Sequence, residues 1–225
     1  TVVEMLPRIV PVEDEEISKE LYRLFKKAGI RVETGSKVEG VRATSGGVSF
    51  NIAMPGGKSD TIEAEKLLVA VGRKPNTAGI GLESTRAELD RGFIKVDQWQ
   101  QTAEPGVYAI GDVVAGTPQL AHVATMEGMV AVGHIAGKPA RPIRRERIPG
   151  CTYTEPEIGS VGLTEAEARA RGFKVKTGKF SFLANSKATI LGRHDGFVKV
   201  VSEEKFGEIL GVHIIGPAAT DLIME

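Results

Sequence analysis

Two short segments constrain this chain more than any other feature. Leu67-Leu68-Val69-Ala70-Val71 is apolar at every position and runs into Gly72-Arg73; Val107-Tyr108-Ala109-Ile110 runs into Gly111-Asp112. Side chains along a strand alternate between its two faces, so a run without a polar position asks to be covered on both. The first segment is therefore predicted as the central strand of a parallel sheet, and such sheets need helices over their faces. In open α/β sheets ligands lie beyond the carboxyl ends of the strands. The glycine and charged residue closing each segment are thus the first places to look for chemistry.

The flanking sequence divides into three blocks. Before Gly72, an opening strand at Thr1-Val2-Val3 leads to Ile17, Leu21, Leu24, Phe25 and Ala28, which share one helical face. Glu13 to Glu16 crowd the start of that helix, Lys26 and Lys27 its end, and Gly29 stops it. β-like stretches around 32, 38–41, 48–54 and 61–64 follow, punctuated by Gly46-Gly47 and Pro55-Gly56-Gly57. The middle block holds the second apolar segment and a helix predicted over 120–135. The last block opens near 148, with strand signals at 158–163, 173–183, 197–201 and 208–215. Thr164-Glu165-Ala166-Glu167 there has the pattern of a capping box. Sheet, one helix and more sheet read as an antiparallel α+β arrangement.

Composition excludes several classes. Lys and Arg number 29, and so do Asp and Glu, so the basic excess of a general nucleic-acid binder is missing. No apolar run reaches the roughly 18 residues of a membrane span. With 27 glycines in 225 residues, against an average of about 7%, many tight turns and close backbone approaches are expected. One cysteine, Cys151, rules out an internal disulfide framework and fits a reducing compartment such as the cytoplasm. The chain opens inside an apolar run and ends on what reads as the first turn of a helix, so it is expected to be a piece of a longer protein.

Three strand ends carry suggestive residues. Glu4 closes the opening strand; a carboxylate there can accept hydrogen bonds from both ribose hydroxyls of an adenosine and repel a 2′-phosphate, which selects NAD over NADP. The plain alternative is a charged residue leaving a buried strand. Gly72 admits a ring against the backbone, or simply starts the Pro75 turn. Asp112 can accept from a polyol hydroxyl, with the helix start at Gln119-Leu120-Ala121-His122 facing a developing anion, or it merely caps a turn. A flavin presents both features.

Other residues offer less. His122, His134, His194 and His213 have no metal-ligand spacing; His134 and His213 sit in apolar stretches and read as packing residues. Cys151 lacks a partner thiol and reads as a small interior side chain. Trp99 and Tyr153 read as space fillers. The arginine- and proline-rich stretch 138–147 reads as a solvated connector, because no aromatic platform accompanies it.

Four stretches together, TVVEMLPRIVPVEDEEISKEL, LLVAVGRKPNT, GVYAIGDVVAGTPQLAHVATMEG and YTEPEIGSVGLTEAEA, resemble the flavin-dependent pyridine nucleotide-disulfide oxidoreductases, most nearly the members that oxidise dihydrolipoamide. The resemblance implies an α/β fold: a partial Rossmann-like NAD-binding domain over 1–72, a segment over 73–147 returning to complete the FAD domain, and an α+β interface domain with an antiparallel sheet over 148–225. It implies FAD and NAD as cofactors. Glu4 would hold the adenosine ribose of NAD, Val38 would line its adenine pocket, and Gly72 would lie beside the nicotinamide. Asp112 would bind the flavin ribityl chain, and Gln119, Leu120, Ala121 and His122 would approach the flavin ring through backbone groups. The implied parent is a homodimer that takes electrons from dihydrolipoamide through a disulfide and FAD to NAD, releasing lipoamide and serving a 2-oxo acid dehydrogenase complex through its lipoyl domains. Another NAD-linked disulfide reductase, a soluble transhydrogenase, a mercuric reductase, and a dimerising scaffold without flavin are the alternatives. The family's glycine loops, redox cysteine pair and catalytic His–Glu pair match nothing in these residues, so the chain alone is expected to be inactive.

Overall fold

Val2, Val3 and Val32 are β-branched residues that suit extended backbone. They form β1 (Val2–Glu4) and β2 (Val32–Thr34), which pair in parallel with Glu4 opposite Thr34. Parallel neighbours need a crossover, supplied by α1 (Glu15–Lys27). Asp14 caps α1 by accepting from Glu16 N at 3.0 Å, and Gly29 ends it at φ +78°. Ile17, Leu21 and Leu24 form its buried stripe, each contributing about 1.5–3 kcal/mol of burial. β3 (Lys37–Thr44), β4 (Gly47–Ala53) and β5 (Ser59–Ala64) follow as an antiparallel meander.

The computed structural model describes all of residues 1–225, which fall into two compact units. One joins Thr1–Leu68 to Pro149–Glu225; the other is Val69–Ile148. In the second unit, β6 (Leu89–Asp90) and β7 (Phe93–Ile94) form a short hairpin, and α2 (Ala121–Ile135) is its long helix. Ile94, Ala109 and Val114 make its small core.

The first unit continues with β8 (Gly150–Thr152), β9 (Glu157–Gly162), α3 (Glu165–Ala170), β10 (Val175–Ser181), α4 (Ser186–Ile190), β11 (Phe197–Glu203), β12 (Ile209–Gly216) and α5 (Ala219–Leu222). Its five strands are antiparallel in the order β10-β11-β12-β9-β8. The period-2 alternation sorts them cleanly. Ile158, Phe197 and Ile215 face α1 in the main core, whereas Val161, Val198, Val212 and Ile214 face α4 and α5. Thr164 and Glu167 form the capping box of α3. No helix is long and apolar enough to cross a membrane.

Two sequence expectations are corrected here. The segment 67–71 forms no strand, and Leu68, Val69 and Val71 are 87%, 69% and 92% exposed. A strand exists only through its neighbours, and the one parallel ribbon, β1–β2, has no third strand. The segment 107–110 is extended but meets its own preceding loop: Tyr108 bridges Gln101 antiparallel, and Ala109 N donates to Gln100 O at 3.0 Å. The short strand expected at 107–110 is thus a single bridge and joins no sheet.

Candidate functional site

In the first unit, β1 delivers Glu4 to its carboxyl end and the chain folds back over it. Leu6 N donates to Glu4 Oε1 at 2.7 Å, Ser36 N to Glu4 O at 3.0 Å, and Gly35 N to Leu6 O at 2.8 Å. The half-buried carboxylate is therefore fixed through one oxygen, while the other makes no hydrogen bond to protein. No Lys or Arg pairs with it. A pinned carboxylate with a spare acceptor suits hydroxyl donors and repels phosphate, so these residues fit the ribose of NAD. Val38 lies two residues beyond Ser36 on β3, 36% exposed, so the two expected adenosine contacts flank one corner. A cavity of about 560 Å³ opens next to that corner. Its walls include Pro7, Arg8, Glu15, Lys19, Tyr22 and Thr34, and neither Glu4 nor Val38 lines it.

In the second unit the chemistry gathers at the turn ending 107–110. Gly111 is buried at φ +76°, and a Cβ there would lie 3.3 Å from Ala124 Cβ, so glycine is required both by conformation and by the closeness of α2. A 3-10 turn over Gly111–Val113 swings Asp112 outward, its side chain 48% exposed. Arg73 Nη1 donates to Asp112 Oδ2 at 2.8 Å, and Gln119 Nε2 approaches Asp112 O at 3.4 Å. Gly72, before Arg73, is at φ +108° with open space where a side chain would stand. Leu120 is the N-cap of α2 and no side chain caps the helix; Ala121 and His122 are exposed on its first turn. An outward carboxylate oxygen beside an uncapped helix start matches a polyol chain leading to a ring that gains negative charge. The second unit thus brings Asp112, Gln119, Leu120, Ala121 and His122 together.

Sequence reasoning missed the residue that holds this turn. Glu127, on α2, is 1% exposed. Its Oε2 accepts from Gly111 N at 2.6 Å and its Oε1 from Thr117 Oγ1 at 2.9 Å. Arg145, from the stretch read as a solvated connector, donates to Thr117 Oγ1 at 3.0 Å and to Gly116 O at 2.8 Å. One signal for Glu127 was present: it is the single carboxylate in a helix apolar on nearly every side, where a charge is retained only with buried partners.

The remaining singled-out residues are placed as follows. His134 stacks on Trp99, ring centroids 5.5 Å apart, and its Nδ1 lies 2.9 Å from Tyr108 Oη. His213 is buried with Nε2 3.0 Å from Leu163 O. Cys151 is half-buried with Sγ 3.7 Å from Thr220 O. Burial, then the negative charges of Glu157, Asp221 and Glu13, push its thiol up, the opposite of what a reactive thiolate needs. Tyr153 is 82% exposed.

A family model described as pyridine nucleotide-disulphide oxidoreductase matches residues 1–128, and one described as that group's dimerisation domain matches residues 148–225. Dihydrolipoyl dehydrogenase of Bacillus subtilis is 49% identical over 227 aligned residues, taking in 100% of this chain and 48% of the relative. The enzyme of the same name from Rhizobium etli is 43% identical, over 99% of this chain and 46% of its own length. Among solved structures, LpdA of Mycobacterium tuberculosis superposes with a TM-score of 0.86 at 30% identity, covering 99% of this chain and 48% of that one. The HOCl-induced flavoprotein disulfide reductase RclA of Escherichia coli, at 22% identity and a TM-score of 0.85 over 99% of this chain and 50% of its own, shares the fold. The chain spans about half the length of the curated relatives it matches.

Proposed function

The chain belongs to the pyridine nucleotide-disulphide oxidoreductase family, and from that premise we propose that the whole protein is a dihydrolipoyl dehydrogenase. The observation that carries the reading is unbroken similarity, at 41–49% identity, to enzymes of that name along all or nearly all of this chain. Bound FAD would supply two-electron redox chemistry between a disulfide and NAD. These 225 residues contain one cysteine, so the thiol pair is not drawn from them.

Each residue's task follows from its geometry. Glu4, held by Leu6 N, offers its spare oxygen to the ribose hydroxyls of NAD, each hydrogen bond to the charged group being worth about 1.5–3 kcal/mol. A 2′-phosphate 4 Å away would meet about 1–4 kcal/mol of repulsion, which sets NAD over NADP. Val38 borders the adenine, and Gly72 leaves the nicotinamide side of the chain bare. Asp112 takes a ribityl hydroxyl on the oxygen that Arg73 leaves free. The backbone at Gln119, Leu120, Ala121 and His122 turns the positive end of α2 to the flavin ring. That end contributes about 0.3–1 kcal/mol, up to about 2 when enclosed, or about 10–40 mV for a two-electron couple. Residues 148–225 form the homodimer contact, and the dimer serves a 2-oxo acid dehydrogenase complex in the cytoplasm through lipoyl domains.

The test is made on the full-length protein. It is expected to purify yellow, to reduce NAD with dihydrolipoamide, and to use NADP at least tenfold less efficiently. A colourless protein that FAD does not reconstitute, or a flavoprotein that leaves dihydrolipoamide untouched, overturns the proposal.

A further inference from the structure

We propose that Glu127 is a positioning residue for flavin binding: it locks the Gly111–Val113 turn and the Thr117 loop into one register, with Arg145 as its outer brace. The inference rests on the flavin reading above and goes beyond it, because Glu127 faces protein on both of its oxygens and touches no expected cofactor atom. The geometry is specific. Gly111 N–H and Thr117 Oγ1–H converge on the two oxygens of one carboxylate, at 2.6 and 2.9 Å. The acceptor-only chemistry of an ionised carboxyl matches two donors. Gly111 immediately precedes Asp112, and Thr117 stands two residues before Gln119, so one side chain sets the positions of both ends of the loop that carries the ribityl and ring contacts. Thr117 Oγ1 donates inward to Glu127 and accepts from Arg145 Nη2, while Arg145 Nη1 holds Gly116 O. A hydroxyl used in both directions leaves the loop one low-energy register.

The burial makes the arrangement costly to disturb. Without Glu127 the Gly111 N–H, in a buried turn against α2, has no acceptor, and a buried orphan donor drives the backbone to rearrange. Asp112 moves with that backbone. The expected consequence is weaker flavin binding rather than a lost fold, since the core of this unit, Ile94, Ala109 and Val114, does not involve Glu127.

The experiment compares Glu127→Ala, Glu127→Gln and Thr117→Val in the full-length protein, with Val130→Ala as a control that loosens the buried face of α2 without touching the clamp. FAD dissociation constants of the apoproteins are measured by flavin fluorescence, and backbone amide exchange across 111–117 is measured without flavin. Glu127→Ala is expected to raise the FAD dissociation constant at least tenfold and to speed exchange at 111–113. Glu127→Gln keeps an acceptor for Gly111 N–H and is expected to stay within a few-fold of the parent. Thr117→Val is expected to free the loop while Gly111 stays protected, and Val130→Ala to leave the dissociation constant unchanged. Unchanged FAD affinity in Glu127→Ala overturns the inference, as does an equal loss in Val130→Ala. Should the unsubstituted protein take up no FAD, the functional reading fails, and exchange alone decides the clamp: protection lost in Glu127→Ala upholds it, and equal exchange refutes it.

Discussion

Replacing Lys199 by Met tests the most heavily charged contact in the first unit. Lys199 projects from β11 between Phe197 and Val201, both buried on the α1 side of the sheet, and its own side chain is 3% exposed. Its Nζ meets Asp14 Oδ1 at 2.9 Å, Glu16 Oε1 at 3.0 Å and Glu165 Oε2 at 2.8 Å. Asp14 caps α1 and also accepts from Glu165 N at 3.2 Å, so one ammonium fastens the starts of two helices to the sheet. Lys179 and Arg169 remain beside Glu16 and Glu165 when Lys199 is gone, but Asp14, 2% exposed, loses its only cation. Removing one partner of a buried pair costs about 3–5 kcal/mol. The two backbone donors left on Asp14 place the expected loss near the lower bound, about 3 kcal/mol, or about 6–12 °C in melting temperature for a unit of this size. Asp14→Asn in the same chain removes the stranded charge but, with one acceptor oxygen for the N–H groups of Glu16 and Glu165, is expected to recover only part of that loss.

The acid limb gives an independent check. Burial would push the Asp14 carboxyl up, but the Lys199 ammonium and the N–H groups of Glu165 and Glu16 more than reverse this and hold it below its ordinary 3.8. Lys179 chiefly, with Lys199, lowers Glu16, and Lys199 with Arg169 lowers Glu165, both from 4.5. Depressed carboxylates bind fewer protons folded than unfolded, so their stabilisation is complete above about pH 5 and disappears as the pH falls through the folded values. Lys199 has the opposite sign. Burial would lower it, three carboxylates raise it, and its contribution persists until the pH climbs through the raised value. Urea melts followed by far-ultraviolet circular dichroism from pH 3 to 7 are the assay; Trp99 lies in the other unit and does not report this transition. Lys199→Met should flatten the acid limb. A loss under about 1 kcal/mol, an unchanged slope below pH 5, or a double variant carrying Asp14→Asn as well that is no more stable than Lys199→Met alone would refute the reasoning.

Three further substitutions have defined outcomes. In the full-length protein, Glu4→Ala is expected to raise KM for NAD about 10–100-fold and to narrow the preference against NADP; steady-state kinetics with both nucleotides would show equal selectivity if Glu4 had no such part. Gly159→Ala places a Cβ 2.4 Å from Ala219 O and 2.9 Å from Ile223 Cβ, so α5 must lift from β9; a loss of about 1–3 kcal/mol in urea melts is expected. His134→Ala removes the ring parallel to Trp99 and the partner of Tyr108 Oη; red-shifted emission from the single tryptophan and a loss of about 0.5–1.5 kcal/mol in the second unit are expected.

What was legible in the sequence was local. The α1 stripe, its acidic start and its glycine stop, the capping box at Thr164, and the strands that alternate in the last block all arise from residues within a turn or a pair of one another. The segment 67–71 shows where such reading ends. Its side chains demand cover on two faces, but a parallel strand's partners lie far off in sequence, and composition cannot supply them. For the same reason its exposure is informative: a run as apolar as Leu67-Leu68-Val69-Ala70-Val71 is a surface that asks for a neighbour, and α2, with Met126, Met129, Val132 and Ile135 exposed, asks likewise.

The site follows the same division. Glu4 and Asp112 could be picked out because each ends a β-like segment with a charge, a pattern confined to a few residues. Glu127 could not be assigned a partner, since Gly111 is 16 positions away and only the fold of the 114–120 loop brings their atoms together. Arg145 lies in the stretch read as a solvated connector for want of an aromatic platform; it is exposed, and its guanidinium also reaches back 28 residues to Thr117, a contact the sequence did not mark. The residues proposed to meet a ligand close β-like segments of the sequence, whereas Glu127, proposed to aim them, is buried and its partners are non-local. A carboxylate isolated on an otherwise apolar helix is the one sequence mark such a positioning residue leaves, because burial of that charge is tolerable only if something precise is hydrogen-bonded to it.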